Sequence, residues 1–110
     1  MRLKTILDQL NIPVAYDHFN TATQPPFIAF RRYSQSNFGA DNITYKAINN
    51  YYIYLVTDYK DVGLEQRLED LLTENEIYYE AISEDYISEE KTYQVVYEVT
   101  LENEDDIPST

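Results

Sequence analysis

The sequence predicts an α+β protein with a single antiparallel or mixed β-sheet of about four to five strands and two helices on one face. Two leucine-rich segments, one at the N-terminus and one at residues 64–72, repeat their apolar residues at helical spacing. Tyr-rich and β-branched stretches lie between and after them, with the cleanest period-two alternation at residues 93–101. The predicted order is helix, weak strand, two strands, helix, two strands, and short connections favour antiparallel neighbours.

The first helix is predicted to run from Arg2 to Leu10 and to end at Asn11 and Pro13. Its apolar residues, spaced at i, i+3, i+4 and i+7, are Leu3, Ile6, Leu7 and Leu10. Residues 14–16 predict a short edge strand. The small polar residues that end in Pro25 and Pro26 predict a loop.

Two long strands are predicted next. The first covers Phe27 to Tyr33, a polar loop covers Ser34 to Asn42, and the second strand covers Ile43 to Thr57. A bulge or bend is expected at Asn49 and Asn50. Both faces of the second strand carry bulky residues, so one face should meet the core and the other a helix or a neighbouring subunit.

The second helix is predicted to begin after Asp61, whose carboxylate can cap free backbone amides, and to stop at Asn75. Its apolar stripe consists of Leu64, Leu68, Leu71 and Leu72. A strand at residues 77–82, a polar turn at 84–91 and a strand at 93–101 with one buried face follow. Residues 1–102 are predicted to form a single domain, and residues 103–110 an acidic disordered tail.

Composition excludes several classes of function. The chain has no cysteine, which excludes disulfides and Cys-based zinc sites. The formal charge of −12, from 20 acids against 8 bases, repels nucleic acid and anionic membranes. No apolar run approaches the ~20 residues of a membrane span, and the N-terminus has no apolar signal segment. We therefore expect no membrane partner and no sequence-specific nucleic acid.

Reactive motifs are missing from the sequence. His18 is the sole histidine and has no nucleophile beside it. With Gly39 and Gly63 as the 2 glycines, no glycine-rich phosphate loop can be built. The acidic run at residues 102–106 has the composition of a calcium site but lacks the glycine and glutamate positions of an EF-hand. The prediction is a protein with no catalytic residue, no cofactor and no metal, and therefore not an enzyme.

Five segments carry a resemblance to a known family. They are PVAYDHF, PPFIAFRRYSQSNFGADN, YKAINNYYIYLVTDYKD, LEQRLEDLLTENEIYYE and KTYQVVYEVTL. Together they cover most of the chain, which resembles tail terminator or head–tail joining proteins of long-tailed phages and prophages of Gram-positive bacteria. The resemblance implies a sheet flanked by helices and a hexameric ring that caps the tail tube and docks to the head connector. It also implies assembly in the bacterial host cytoplasm and a final place in the tail or neck of the virion.

The implied partners are further copies of the chain, the tail tube protein and a head-completion or connector protein. A ring-former of this kind can be monomeric when free. Arg31 and Arg32 form a basic spot in an acidic chain and can pair with nearby acids or with an acidic neighbour. The candidate interface residues are Arg31, Arg32, Tyr33, Asn37, Phe38, Asp41, Tyr52 and Tyr54.

Two other functions stay open from the sequence. An acidic soluble inhibitor or regulator could bind a basic, DNA-binding protein, as the net charge of −12 allows. An enzyme would have to build its site from carboxylates and tyrosines. The sequence also leaves open whether the chain is a terminator or a neighbouring connector protein.

Overall fold

The computed structural model describes residues 2–38 and 46–102, with the backbone alone at residues 36–38 and 46–47. One five-stranded mixed sheet has the strand order β1-β2-β3-β5-β4. The first pair is parallel and every other pair is antiparallel. The elements are α1 (Arg2–Leu7), a 3-10 turn (Asp8–Leu10), β1 (Val14–Tyr16), β2 (Phe27–Phe38), β3 (Lys46–Thr57), α2 (Val62–Glu74), β4 (Tyr78–Ile87) and β5 (Thr92–Glu102). This confirms the predicted fold class. The predicted tail at residues 103–110 lies outside the described residues.

The N-terminal helix buries the four apolar residues that its spacing predicted, but it is not one regular helix to Leu10. It tightens into a 3-10 turn after Leu7. Asn11 then adopts a left-handed conformation with φ 60°, which asparagine tolerates better than most residues. The Pro13 carbonyl accepts from the Ile28 amide at 2.9 Å, so the helix exit leads directly into β1 beside β2.

The β2–β3 pair departs most from the prediction. The predicted loop from Ser34 is wrong for residues 34–38, because β2 continues to Phe38 and pairs there with Lys46. Asn49 and Asn50 pair regularly with β2, and the bulge lies instead on β2, where Tyr33 is the extra residue. Ser, Gln and Asn are weak strand formers, so cross-strand pairing with β3 decides the conformation here.

Helix α2 follows the predicted signals closely. Asp61 Oδ1 accepts from the Leu64 amide at 3.0 Å, which satisfies one free donor of the first turn. Leu64, Leu68 and Leu72 are buried against the sheet. At the C-terminal end of α2, Asn75 closes the last turn. The next residue, Glu76, adopts a left-handed conformation with φ 58°.

The second pair of long strands is β4 and β5. Strand β4 is longer than predicted, since residues 84–87 continue the strand and the turn is confined to residues 88–91. Residues 84–86 are exposed and Ile87 is half-buried, and the strand conformation of this segment comes from pairing with β5. Strand β5 matches the predicted alternation, with Val95, Tyr97, Val99 and Leu101 buried on one face.

The core lies between one face of the sheet and the two helices. Its sheet residues are Ile28, Phe30, Tyr51, Ile53, Leu55, Val95, Tyr97, Val99 and Leu101, and its helical residues are Leu3, Ile6, Leu7, Leu10, Leu64, Leu68 and Leu72. A polar link crosses this core, because Glu69 of α2 accepts from the hydroxyls of Tyr97 at 2.8 Å and Tyr79 at 3.3 Å. Within the described ranges, no helix has the length and apolar character that a membrane crossing requires.

Candidate functional site

The face of the sheet turned away from both helices is the candidate site, and we call it the open face. Successive side chains of a strand point to opposite sides, so the residues that alternate with the core set share this surface. Its centre is formed by Arg31 and Tyr33 of β2, Tyr52 and Tyr54 of β3 and Glu98 of β5. Each of these strands sends its neighbouring residues into the core, which fixes the orientation of the open-face side chains.

Arg31, Tyr33, Tyr52 and Tyr54 form a continuous group that we call the aromatic patch. The rings of Tyr33 and Tyr52 are stacked, with centroids 4.1 Å apart and planes at 15°. Tyr54 adjoins Tyr52 at 6.2 Å. The guanidinium carbon of Arg31 lies 5.6 Å from the Tyr52 ring centre, within cation–π range. Stacked rings and arginine offer a large, rigid contact area at low entropic cost, as the energetically dominant residues of protein interfaces do.

The bulge in β2 positions Tyr33 over its neighbours. As the extra residue between Arg32 and Ser34, Tyr33 has no direct partner on β3. Its ring lies across Tyr52, and its hydroxyl donates to Glu98 Oε2 on β5 at 2.7 Å. Partial burial against the neighbouring groups, followed by this hydrogen bond to a carboxylate, raises the pKa of Tyr33 to about 12. Tyr33 thus ties together three strands across the open face.

Tyr33 is expected to titrate near pH 12 in the folded protein, and Glu98→Gln should return its pKa toward the ordinary value of about 10. Because the pKa is raised by folding, the contribution of Tyr33 to stability is full below about pH 10 and is lost as the pH rises toward the folded value. NMR titration of the ring carbons measures this, with Tyr33→Phe identifying the resonance. A Tyr33 pKa unchanged by Glu98→Gln would contradict the hydrogen bond.

A polar row borders the aromatic patch. Asn50 donates through Nδ2 to Ser34 Oγ at 2.8 Å and accepts through Oδ1 from Thr100 Oγ1 at 2.8 Å. These three side chains lie in register across β2, β3 and β5. Because the Asn50 amide bonds to a hydroxyl on each neighbouring strand, the row helps to fix the alignment of the three strands beside the patch.

The opposite end of the open face is partly covered. The connection from β1 to β2 brings the Phe19 ring to 5.3 Å from that of Phe27. An open cleft of about 290 Å³ remains between this connection and Val56. The aromatic patch lies farther along the strands, away from this covered end.

The predicted interface residues separate into three groups. Arg31, Tyr33, Tyr52 and Tyr54 come together in the aromatic patch. Arg32 lies on the helix-covered side, where its Nη1 donates to Asn49 Oδ1 at 3.2 Å. Asn37 and Phe38 belong to β2 and pair with Ala47 and Lys46 through the backbone, and Asp41 lies outside the described residues.

Glu98 is an open-face residue that sequence reasoning missed as part of the site. Glu98 lies two residues from both Val96 and Thr100, so strand alternation places its side chain on the same face as theirs. What the sequence does not give is the register that places Glu98 opposite Tyr52. The structure also pairs Glu98 directly with Glu80 of β4, so two carboxylates face each other across neighbouring strands.

Other titratable groups form small local pairs. Lys60 bridges Glu65 and Glu84 at 2.8 Å and 2.6 Å, and hydrogen bonds to these carboxylates raise the pKa of Lys60. The His18 ring lies 2.9 Å from Asp17 on the surface. Among the residues that the structure describes, no group of three or more His, Cys, Asp or Glu side chains has the geometry to hold a metal ion.

Comparison with known proteins gives a likeness of fold. No family model matches the sequence, and no curated protein sequence matches it. A chain in the solved structure of the virion of a native gene transfer agent particle has a similar fold, with a TM-score of 0.50 and 10% sequence identity. The likeness covers 94% of this chain and 89% of the other. The likeness is one of overall fold and extends over most of both chains.

Proposed function

We propose that this chain is a structural protein of a phage or prophage particle, and that it acts as a tail terminator. In this role it forms a ring on the end of the tail tube and joins the tube to the head connector. The observation that carries the proposal is the aromatic patch, an ordered and accessible contact surface on the open face. The fold shared with a chain of a gene transfer agent virion supports a place in such a particle.

The proposed mechanism is non-catalytic and depends on surfaces. Each copy contacts the next through two different patches, and a rotation that closes produces a ring. Tyr and Arg side chains contribute most of the binding energy at such contacts. The formal charge of −12 suits a ring that DNA must pass without being held, because like charges weaken attachment. Assembly in the host cytoplasm and a final position in the virion neck belong to the same proposal.

Loss of the protein is expected to give particles with abnormally long tails or tails without heads. The test deletes the gene from the phage or prophage that encodes it and images the particles by electron microscopy. Wild-type protein and Tyr86→Ser should restore normal particles, because Tyr86 is 53% exposed and lies outside the aromatic patch. Tyr33→Ser/Tyr52→Ser should fail to restore them. Normal particles after deletion would contradict the proposed role.

An acidic inhibitor of a basic protein is the second candidate. Strand β4 favours it, since Glu80, Glu84 and Asp85 are all exposed along one strand. Binding of this kind weakens steeply as salt rises, because screening shortens the reach of exposed charges. Strong, salt-sensitive binding to a DNA-binding protein, together with normal particles after deletion, would favour the inhibitor over the terminator.

A further inference from the structure

Strand β4 forms an open edge of the sheet. It is the last strand in the order β1-β2-β3-β5-β4, so its outer side has no strand partner within the described residues. All of its residues except Tyr79 and Ile87 are exposed. The extra residue Ile82 divides the edge into two runs, and residues 83–87 form the longer one. Backbone donors and acceptors along such an edge are a template for another strand.

Exposed apolar side chains are concentrated around this edge. Among the described residues, most of the exposed large hydrophobic side chains lie either on β4 or in the segment 59–62, namely Tyr78, Ile82 and Tyr86 on the strand and Tyr59 and Val62 in the segment. Lys60 fastens that segment to β4, since its Nζ lies 2.6 Å from Glu84 Oε1. Clustered apolar side chains with polar residues around them mark a surface that contacts another protein.

The same surface is acidic. Residues 76–90 include Glu76, Glu80, Glu84, Asp85, Glu89 and Glu90 and no base. Lys60 supplies a cation for Glu84, whereas the carboxylates of Glu80 and Asp85 make no ion pair with any described residue. Glu80 also lies directly opposite Glu98 of β5, and like charges in this position destabilise a sheet. A partner that brings cations to β4 relieves this repulsion.

A groove of about 270 Å³ lies between β4 and α2. Its apolar lining includes Ile82 and Val95, and its carboxylates are those of Glu65, Glu69 and Glu84. Lysine and arginine side chains suit such a groove, because their aliphatic stems pack on apolar surface while the charged end stays among polar groups. The groove therefore favours a basic side chain of the partner.

A second copy of the chain does not supply this partner. Pairing of β4 with β4 of another copy would bring two acidic edges together. Strand β2 carries Arg31 and Arg32, but β1 covers its edge at Ile28–Phe30. Any register that sets either arginine beside the acids of β4 would drive another part of β4 into the space that β1 fills. The partner is therefore a different protein.

We propose that the β4 edge binds an extended, basic segment of a different protein, which adds to the sheet as a strand beside residues 83–87. Main-chain hydrogen bonds give the affinity of such a contact, and side chains give its specificity. Asp85 pairs with Gln94 and lies on the open face, whereas Glu84 and Tyr86 lie on the helix-covered face. Because neighbours in a strand point to opposite faces, two consecutive basic residues place one cation on each face. The inference goes beyond the terminator role and does not depend on ring formation.

Three synthetic peptides and the full-length protein test the contact. The peptide TVKRVTKRVT carries two basic pairs, and TVEDVTEDVT replaces them with acidic pairs. The peptide TPKRPTKRPT keeps the basic pairs, but its prolines remove backbone donors and oppose a strand. NMR titration measures binding, and amide hydrogen exchange locates it. At saturation TVKRVTKRVT should slow exchange within residues 83–87 roughly tenfold. The acidic peptide should not bind, and TPKRPTKRPT should bind roughly tenfold more weakly than TVKRVTKRVT.

Charge reversal on the protein supplies a second measurement. Asp85→Lys should weaken binding of TVKRVTKRVT roughly tenfold. The matched control is Glu74→Lys, which makes the same change in net charge. Glu74 is exposed at the end of α2 and lies beside Gln9 and Leu10, away from residues 83–87. Its reversal should change the affinity less than about twofold.

Several outcomes would overturn the inference. Equal binding of TPKRPTKRPT and TVKRVTKRVT would mean that charge attraction alone holds the peptide. Equal losses for Asp85→Lys and Glu74→Lys would mean that the net charge, and not the β4 edge, selects it. Slowed exchange confined to residues outside β4, or no binding at about 1 mM peptide, would also remove the edge contact.

These outcomes are separate from those of the proposed function. Abnormal tails after gene deletion, with no peptide binding at β4, would keep the terminator role and remove the edge contact. Peptide binding at β4 with normal particles after deletion would keep the edge contact and remove the terminator role.

Discussion

Replacing Leu68 with alanine is expected to lower the free energy of unfolding by about 2–5 kcal/mol, the largest effect of any substitution proposed for this protein. Leu68 is fully buried in the middle of the α2 stripe, between Leu64 and Leu72. Truncation leaves a cavity between the helix and the sheet that rigid neighbours fill poorly. Urea denaturation followed by circular dichroism measures the loss as a lower midpoint at unchanged slope.

The matched control is Val62→Ala in the same helix. Val62 is 64% exposed, so its truncation is expected to change stability by no more than about 0.5 kcal/mol. Equal losses for Leu68→Ala and Val62→Ala would mean that α2 does not dock on the sheet through its leucine stripe.

Tyr97→Phe is expected to cost about 1–3 kcal/mol, although it removes a single oxygen atom. The Tyr97 side chain is fully buried, and its hydroxyl donates to Glu69 Oε2 at 2.8 Å. Without the Tyr97 hydroxyl, the Glu69 carboxylate keeps the longer hydrogen bond from the Tyr79 hydroxyl, at 3.3 Å. Burial, and then the hydrogen bond to Glu69, raise the pKa of Tyr97. Its contribution is therefore full below the ordinary tyrosine pKa of about 10 and is lost at higher pH as the phenol ionises.

Tyr86→Phe is the control for Tyr97→Phe. Tyr86 is 53% exposed, so loss of its hydroxyl should be nearly neutral. A double-mutant cycle of Tyr97→Phe with Glu69→Gln should give a coupling energy of about 0.5–3 kcal/mol, because the two groups share one hydrogen bond. Strict additivity would contradict a direct interaction between α2 and β5.

The parts of the fold that local chemistry determines were predictable. Helix α2 has a capping carboxylate at Asp61 and a leucine stripe whose spacing needs no partner to be recognised. Strand β5 alternates so regularly that its buried face could be assigned in advance. In both cases the signal lies within about a dozen consecutive residues, and the tertiary structure agrees with it.

Cross-strand pairing explains most of what was wrong. Residues 34–38 and 84–87 have turn-like composition but lie opposite β3 and β5, whose backbones complete their hydrogen bonds. The bulge was expected at the Asn49–Asn50 pair and occurs at Tyr33, on the other strand. Register is a property of two segments together, so neither of these features can be found in one segment alone.

The candidate site was predictable to the extent that alternation determines it. Period two puts Arg31 and Tyr33 on one face and Arg32 on the other, so the basic pair could not act as one unit within a strand. Tyr52 and Tyr54 share a face for the same reason. The β2–β3 and β3–β5 registers place these two faces on the same side of the sheet and bring Glu98 beside them.

The position of β5 between β3 and β4 has a consequence for biosynthesis. Strand β4 leaves the ribosome before β5, yet β5 is its sole hydrogen-bonding neighbour in the described sheet. The hairpin of β2 and β3 can form while translation continues, whereas β4 cannot pair until residues 92–102 have been synthesised. Closure of the sheet thus requires contacts distant in sequence and comes late, as is usual for non-local pairing. The nascent chain consequently presents the β2–β3 pair well before β4 can join the sheet.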